Sequence, residues 1–462
     1  MTTPRLHSGS LSLASNLVIS GGDKLDIVEN RTAFLPSISE NRNLRFFCIF
    51  IMYVAQGVPI GLFFFAIPAW LAASGASALE IGGFVSATAL PWSLKFINGF
   101  LMDRFAFLAM GRRRAWLIGA QIIMVLGLLG LAFANPSVSD IALLSAFSFA
   151  INTATTFQDV AIDGLAVDLV PDTERARANG LMFGGQSVGI AAGTAVTGYA
   201  IPVYGFPIAV TGTAILVGLV LAVILVVRER PNERLLPWSE GQASQTSLSR
   251  HVGKWIPLFK NAWSAMLTRE SILVALAMSM NGLAYGIYIG AMPMIATDIG
   301  GWSDAEFSAL SASAALITGF LCIFVFGIFT DKVGTRRAAL LGFTAMMLLC
   351  LGMVVAQANW TSPVFIRGFA IGFLSLNYFI TVALVAAAMR LCSVKVAATQ
   401  FTLYMAISNL GISFGGGILG LLEGLGGYPA MLLAIAGAAI IGFVLVSFTS
   451  RVSQQIETTI LT

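Results

Sequence analysis

The stretch Gly99-Phe-Leu-Met-Asp103-Arg104, followed by Gly111-Arg112-Arg113-Arg114, lies where an apolar run ends and a basic loop begins. A second copy of this pattern, Gly327-Ile-Phe-Thr-Asp331-Lys332-Val-Gly334-Thr-Arg336-Arg337, comes about half a chain later and also follows an apolar run. A combination of helix end, acid and basic turn that occurs twice indicates duplication. The sequence therefore predicts two related halves.

The composition indicates an integral membrane protein. Hydrophobic residues make up 57% of the 462 residues and charged residues make up 10%; mean hydropathy is +0.86. Soluble domains carry about 25% charged residues. The net charge of +4 is too small to indicate a nucleic-acid partner. The four cysteines have no metal-ligand spacing and both histidines fall in polar segments, so no metal site is expected.

Twelve apolar runs are long enough to cross a bilayer as helices, because about 20 residues span its hydrocarbon core. They form two sets of six, separated by a polar stretch. We therefore predict an all-α integral membrane fold with 12 transmembrane helices in two six-helix pseudo-repeats. The predicted spans are 46–72, 81–101, 116–134, 141–166, 180–201, 207–227, 271–296, 307–329, 338–357, 364–389, 401–421 and 430–449.

The cationic residues predict the orientation. With the N-terminus in the cytosol, 24 of the 26 Lys and Arg residues fall in cytoplasmic tails and loops, the exceptions being Lys95 and Arg367. Cytoplasmic loops carry such an excess, so both termini are predicted to be cytoplasmic. The predicted organisation is a cytosolic polar tail at 1–44, an N-terminal six-helix bundle at 45–227, a cytosolic linker at 228–270, a C-terminal six-helix bundle at 271–450 and a cytosolic tail at 451–462.

The two halves also match outside the loop pattern. The pair Gln56-Gly57 corresponds to Asn281-Gly282, and Gly61 corresponds to Gly286, both at an offset of 225 residues. Six spans per half keep the halves in the same orientation. This predicts a parallel repeat, related by an axis along the membrane normal, that rocks about a central site.

The doubled pattern resembles the cytoplasmic loop motif of the major facilitator superfamily, which occurs between helices 2 and 3 and again between helices 8 and 9. Its glycine allows close helix approach, and its Asp can accept hydrogen bonds from a helix N-terminus. The resemblance implies a latch for the outward-facing state; a plain basic loop is the alternative. The predicted cytoplasmic latch residues are Gly99, Asp103, Arg104, Arg112, Arg113, Gly327, Asp331, Lys332, Arg336 and Arg337.

Three ionisable residues fall inside predicted spans. Lys95 is in the second span, and Asp159 and Asp163 share one face of the fourth at a depth similar to that of Lys95. Buried charges are costly, so we expect Lys95 to pair with Asp159, Asp163 or both. The cluster either couples proton movement to substrate movement or forms a static ion pair that holds the two helices together.

Neutral polar residues inside the spans are candidates for a substrate cavity. Each can line a cavity or form a hydrogen bond between helices. The candidates are Tyr53, Gln56, Gln158, Gln186, Asn281, Tyr285, Tyr288, Asn377, Tyr378, Tyr404 and Asn409.

Three stretches narrow the resemblance. They are Tyr53-Val-Ala-Gln-Gly-Val-Pro-Ile-Gly61, the segment from Pro91-Trp-Ser-Leu-Lys95-Phe to Trp116, and Gln158-Asp159-Val-Ala-Ile-Asp163-Gly164. Together they resemble the branch of the superfamily that contains AmpG-type muropeptide permeases and acetyl-CoA transporters. The resemblance implies proton-driven import of a bulky polar solute across a bacterial inner membrane. That solute would be muropeptide-like, siderophore-like or coenzyme A ester-like.

We therefore expect a multi-pass secondary active transporter that works by alternating access. An exporter of the same fold and a non-transporting membrane assembly or scaffold protein remain as alternatives. No nucleophile elbow, metal-ligand spacing or phosphate loop is present in the sequence, so an enzyme is not expected. We expect a monomer that contacts membrane lipid, uses no cofactor and draws its energy from a proton gradient.

Overall fold

The computed structural model of the protein describes residues 36–74, 78–251, 254–302 and 304–450. Most of the predicted tail at 1–44 and all of the tail at 451–462 lie outside the described residues. Within the described ranges the regular structure is helical, apart from one bridge between Ser37 and Arg228. An all-helical fold is what the sequence predicts.

Seventeen α-helices are described, and three of them are followed by a single π-helical turn. The π-helical turns are Gly61–Ala66 after α1, Ile295–Ile299 after α11 and Cys322–Phe326 after α12. The helices are α1 (Arg42–Ile60), α2 (Ile67–Ala73), α3 (Ala78–Ser93), α4 (Phe96–Arg104), α5 (Arg114–Ala134), α6 (Ile141–Leu169), α7 (Arg175–Tyr204), α8 (Phe206–Leu225), α9 (Gln245–Arg250), α10 (Trp255–Met266), α11 (Arg269–Met294), α12 (Asp304–Leu321), α13 (Gly327–Val333), α14 (Thr335–Val355), α15 (Pro363–Leu391), α16 (Ala397–Gly417) and α17 (Leu419–Ser447).

Eight helical segments of the described chain are long and apolar enough to cross a membrane. The four predicted runs outside this set are also helical, in α3 with α4, in α6, in α7 and in α16. Helices α3 and α4 are each too short to span a membrane alone, and α6, α7 and α16 carry buried glycine, polar or charged residues, which lower their hydropathy. Twelve spans and cytoplasmic termini therefore stay predictions. The segments are Arg42–Ala66, Arg114–Ala134, Phe206–Leu225, Arg269–Met292, Ser313–Val333, Thr335–Val355, Pro363–Leu391 and Leu419–Ser447.

The second predicted span is interrupted, although the sequence predicts one continuous helix at 81–101. Helix α3 ends at Ser93 and α4 begins at Phe96. Pro91 has no N–H to donate, and the amide of Asn98 bonds the Lys95 carbonyl, three residues back, at 3.1 Å. Lys95 therefore lies at the break, between two short helices.

Glycine contacts follow the internal repeat. A Cβ atom on Gly57 would come within 2.3 Å of the Gln186 carbonyl oxygen, so α1 packs on α7 through bare backbone. At the equivalent position in the second half, a Cβ on Gly282 would come within 2.2 Å of the Ser408 carbonyl oxygen, where α11 packs on α16. The same close approach in both halves places the halves' inner helices in equivalent positions.

The first part of the linker is folded against the first half, although its sequence indicates only a polar stretch. The Glu229 carboxylate accepts hydrogen bonds from the backbone amides of Arg112, Arg113 and Arg114, at 3.2, 2.9 and 3.1 Å. It thereby satisfies the free N–H groups where α5 begins. Burial raises the pKa of Glu233 above its ordinary value of 4.5, and the nearby Glu229 carboxylate raises it further.

Candidate functional site

A buried ionic cluster joins α1, α6 and the break between α3 and α4. The Lys95 Nζ lies 3.0 Å from Asp159 Oδ2, and Gln56 donates from Nε2 to Asp159 Oδ1 at 2.8 Å. One helical turn along α6, Asp163 accepts a hydrogen bond from the Tyr53 hydroxyl at 2.6 Å. All five side chains are buried. The pairing with Lys95 thus falls on Asp159, while Asp163 is held by a phenol.

The charges in this cluster do not balance when both carboxylates are ionised. Lys95 offsets the charge of Asp159 in direct contact. Among the described residues, no cationic nitrogen lies within 4 Å of Asp163. One excess negative charge in a low-dielectric interior is costly, and one proton removes it. The arrangement can therefore bind a proton at Asp163 while the Lys95–Asp159 pair stays intact.

This cluster opens onto a cavity between the two halves. The cavity measures about 80 Å³, counted as the space open to the centres of water-sized molecules. The first half supplies all of its charged groups, whereas the second half contributes three apolar side chains. Its lining residues are Tyr53, Gln56, Trp92, Lys95, Asp159, Asp163, Asn179, Met182, Phe183, Gln186, Val385, Phe401 and Met405.

Three of the predicted cavity residues, Tyr53, Gln56 and Gln186, line this cavity. Gln158 faces α1 instead, where its Nε2 donates to the Met52 carbonyl at 2.7 Å. Tyr378 lies just behind the wall, and its ring packs edge-on against the Phe183 ring.

The remaining candidates lie in the second half and outside the cavity lining. Asn281 and Asn377 bond each other between α11 and α15, with Asn377 Nδ2 3.1 Å from Asn281 Oδ1. Tyr288 stacks on Phe373. The other three are Tyr285, which is half-buried, Tyr404, which is buried near Gln400, and Asn409, which is exposed.

Sequence reasoning missed Trp92. This side chain lines the cavity, its Nε1 donates to Asn152 Oδ1 at 3.0 Å, and its ring centroid lies 5.9 Å from the Lys95 Nζ. The available signal was its position three residues before Lys95, which places both side chains on one side of the broken helix. Phe401 and Met405 carry no such signal, because apolar residues fill most positions of these spans.

The first loop pattern binds the second half through Asp103. Its Oδ2 accepts from the Thr399 backbone amide at 2.9 Å, at the N-terminal turn of α16. Its other oxygen lies 2.5 Å from Arg113 Nη2. Arg112 donates to the Val394 carbonyl at 2.7 Å and lies 3.1 Å from Asp168. Asp103 and Arg112 therefore connect α4 and the loop before α5 to the segment that begins α16.

The second pattern makes the reciprocal contact. The Asp331 carboxylate accepts from the backbone amides of Ala176 and Arg177, both at 3.0 Å, at the N-terminal turn of α7. Arg336 donates to the Ser447 carbonyl within its own half, at 2.6 Å. Lys332 and Arg337 are exposed.

The remaining three predicted latch residues also have defined positions. The Arg104 guanidinium lies over the rings of Phe105 and Trp255. Gly99 and Gly327 contact the starts of α16 and α7, respectively, through bare backbone.

All described hydrogen bonds between the halves lie near these two loops. The two loops lie at the same end of the helices, which we call the cationic end. Its segments are 105–113, 170–174, 228–251, 254–268, 330–334 and 392–396. Arg390 adds a bond from its Nη2 to the Asp172 carbonyl at 2.8 Å, and Asn179 bonds the Met389 sulfur at 3.4 Å. These bonds between the halves therefore close the structure at the cationic end, on one side of the ionic cluster.

Comparison with known proteins agrees with this architecture. The chain is 24% identical over 409 residues to the anhydromuropeptide permease of Escherichia coli K12, covering 86% of this chain and 78% of the permease. It is 25% identical over 386 residues to a Rickettsia conorii protein that carries the name putative transporter AmpG 4, covering 80% of this chain and 87% of that protein. These relatives are named as transporters.

A solved structure shares the fold. The Escherichia coli fucose:proton symporter superposes with a TM-score of 0.67 at 14% identity, covering 88% of this chain and 99% of the symporter. The family model of the Major Facilitator Superfamily matches residues 46–281 and 274–458, which together make up most of the chain. With its apolar helices, its two-part match and its AmpG-like relatives, this multi-pass membrane protein belongs to the major facilitator superfamily.

Proposed function

We propose that the protein is a secondary active transporter that imports a bulky polar solute with protons by alternating access. The observation that carries the proposal is the buried Lys95–Asp159–Asp163 cluster, which faces a cavity between the halves. A buried charge of this kind is costly to a fold and marks an ion or proton pathway in membrane proteins. The balanced Lys95–Asp159 pair alone could hold the helices together. A purely structural role therefore does not explain the second buried carboxylate, Asp163.

Asp163 is the proposed proton site. It accepts a hydrogen bond from Tyr53 and has no cation in contact among the described residues. When the cavity opens outward, a proton neutralises the excess charge and permits the cluster to be enclosed. When the cavity opens inward, water again solvates the carboxylate and the proton leaves. In this scheme, substrate and proton cross in the same rocking step.

The cluster's charge favours a muropeptide-like solute over a coenzyme A ester. Several phosphate groups are favourably bound where several Arg or Lys donors converge. Among the described residues that line the cavity, Lys95 is the only cationic one, and Asp159 already neutralises it. Trp92 and Phe401 instead offer flat apolar surfaces to the apolar faces of sugar rings, and Gln186 and Asn179 offer amide groups. The relatives named as an anhydromuropeptide permease and as AmpG 4 support the same class.

The cavity must enlarge before such a solute enters. Its volume of about 80 Å³ is below the roughly 300–1,000 Å³ of typical ligand pockets. The closed cationic end, with Asp103 and Asp331 each bound to the opposite half, directs that enlargement to the other side. By the charge bias the cationic end is cytoplasmic, so the proposed latch stabilises the outward-facing side of the cycle. We place the protein in a bacterial inner membrane, as a monomer.

Uptake by proteoliposomes tests the proposal. The purified protein is reconstituted, and a labelled anhydromuropeptide is supplied outside with an inwardly directed proton gradient. We expect the wild type to concentrate the solute. Asp163→Asn should lose the response to the gradient but keep solute counterflow, because the cavity is intact. Asp140→Asn is the matched control, since that exposed carboxylate lies outside the cluster.

Each alternative predicts a different result. Acceleration of uptake by a gradient of opposite direction would indicate an exporter. Absence of counterflow with muropeptide, siderophore and coenzyme A ester solutes would favour the scaffold function. Concentrative, gradient-driven uptake by Asp163→Asn at the wild-type rate would refute the role given to Asp163.

A further inference from the structure

We propose that helix α10, Trp255–Met266 in the linker, lies in the membrane interface at the cationic end and contacts anionic lipid there. Its inner side at the same time packs on both halves of the protein. This surface lies outside the ionic cluster, and its contact with lipid does not depend on the transported solute.

The inner side of α10 bridges the halves. Leu258 and Ala262 are four residues apart and buried, and they form one apolar cluster with Val396, just before α16, and Phe100 of α4. Phe100 belongs to the first half of the chain and Val396 to the second. The helix is therefore held in place by contacts with both halves.

A second side of α10 is apolar yet exposed. Ile256, Phe259 and Trp263 are 82%, 50% and 68% exposed. Their spacing of three and four residues places them along one stripe, adjacent to the buried one. A third side carries Lys260 and Ser264, which are also exposed. Helix α10 thus has one stripe packed on the protein, one exposed apolar stripe and one exposed polar stripe. Exposed apolar and polar stripes side by side are typical of an interfacial membrane helix.

The position of α10 places that apolar stripe at the level of the membrane surface. The Phe259 ring lies 4.7 Å from the ring of Phe100, which is in the middle of α4 and next to the last residue of the predicted span 81–101. Helix α10 ends at Met266, and α11 begins three residues later, at Arg269. Arg269 is the first residue of a segment that is apolar enough to span the membrane. The helix is thus fixed beside the ends of membrane helices and not at a distance in the cytosol.

Neighbouring residues favour lipid as the occupant. Phe105 and Phe107 are exposed large apolar residues next to this region, and the Phe105 ring packs edge-on against the ring of Trp255. The apolar stripe therefore continues the exposed surface at the end of α4. Trp rings at this level are typical of the aromatic belt of membrane proteins, and Phe is typical of the apolar face of interfacial helices.

Cationic residues around α10 favour anionic headgroups. Lys254, just before the helix, and Lys260, inside it, are both exposed. The Arg104 guanidinium lies 5.9 Å from the ring centroid of Trp255. Each Lys or Arg near an anionic membrane surface contributes about 1 kcal/mol to binding. Negatively charged phospholipid is therefore the expected contact.

Spin labels at adjacent positions test the depth of the helix. Trp263→Cys and Ser264→Cys are made separately and labelled, and the full chain is placed in nanodiscs of phosphatidylglycerol and phosphatidylcholine. Both side chains are exposed, and all four native cysteines are buried. We expect the label at 263 to collide mainly with oxygen, which concentrates in lipid, and the label at 264 mainly with a water-soluble nickel chelate.

Two results would overturn the proposal. Equal access of the nickel chelate to both labels would place the helix in water. Protection of the label at 263 from both reagents would indicate a protein partner or a second copy. A separate measurement addresses charge: Lys254→Gln with Lys260→Gln should lower the preference for phosphatidylglycerol over phosphatidylcholine roughly 30-fold in native mass spectrometry. An unchanged preference would refute the anionic-lipid part.

Discussion

Replacement of Asp331 by Asn should weaken the closure of the cationic end. The carboxylate gives one oxygen to each of two backbone amides, Ala176 N and Arg177 N, both 3.0 Å away. Asn can accept from one of these donors with its carbonyl oxygen, but its NH₂ group opposes the other. The substitution also removes the negative charge from the N-terminus of α7, where the helix dipole favours an anion.

The size of the effect follows from these contacts. A hydrogen bond to a charged group contributes about 1.5–3 kcal/mol, and we take about 2 kcal/mol for the loss. Because about 1.4 kcal/mol corresponds to a tenfold change, the ratio of closed to open protein falls roughly 30-fold. If about 1% of the wild type is open at this end, the variant should be open in about 23%.

Double electron–electron resonance measures that population. Spin labels on Trp238→Cys and Arg337→Cys report the distance between the halves at the cationic end, since both positions are exposed. We expect a second, longer distance in the Asp331→Asn variant. Asp140→Asn is the matched control, because it makes the same acid-to-amide change at an exposed residue outside the two loop patterns and should leave the distances unchanged. A distance distribution for Asp331→Asn identical to that of the wild type would refute the reasoning.

Three further substitutions test other parts of the structure. Gly57→Ala should lower the unfolding free energy by about 1–3 kcal/mol in thermal unfolding, because its methyl group meets backbone at 2.3 Å; Gly198→Ala, with nothing within 4 Å, should not destabilise. Lys95→Met should cost about 3–5 kcal/mol by leaving Asp159 unpaired, and adding Asp159→Asn should restore stability in the same assay; no restoration would argue against the pair. Because the pKa of Glu233 is raised, the folded linker binds more protons than the unfolded chain, so its stability should fall as the pH rises above 4.5. Hydrogen exchange, corrected for intrinsic rates, should show this trend in the wild type and lose it in Glu233→Gln.

Much of the architecture could be predicted because the duplication constrains it. The offset that relates Gly57 to Gly282 appears in the structure as two equivalent backbone contacts. The pairing of Lys95 with an acid followed from depth along the helices and from the cost of burying a charge. The sequence could not choose between Asp159 and Asp163, because that choice depends on the helix break at Lys95 and on the position of Tyr53 in a different helix.

The linker could not be predicted for a different reason. Glu229 is one acid in a polar stretch, and nothing near it in sequence indicates that it caps α5, which begins over a hundred residues earlier. Likewise, the exposed and the buried stripes of α10 are both apolar, and only tertiary structure separates the exposed Ile256 from the buried Leu258. Long-range contacts of this kind leave no periodic signal.

The three apolar residues that the second half contributes to the cavity bear on how specificity can change. Val385, Phe401 and Met405 shape the space, while every charged group in the lining comes from the first half. A chimaera that keeps the first half and takes the second from a relative would therefore keep the ionic cluster of one parent and exchange one wall of the cavity for that of the other. Divergence among such proteins can then proceed in the second half without rebuilding the ionic cluster.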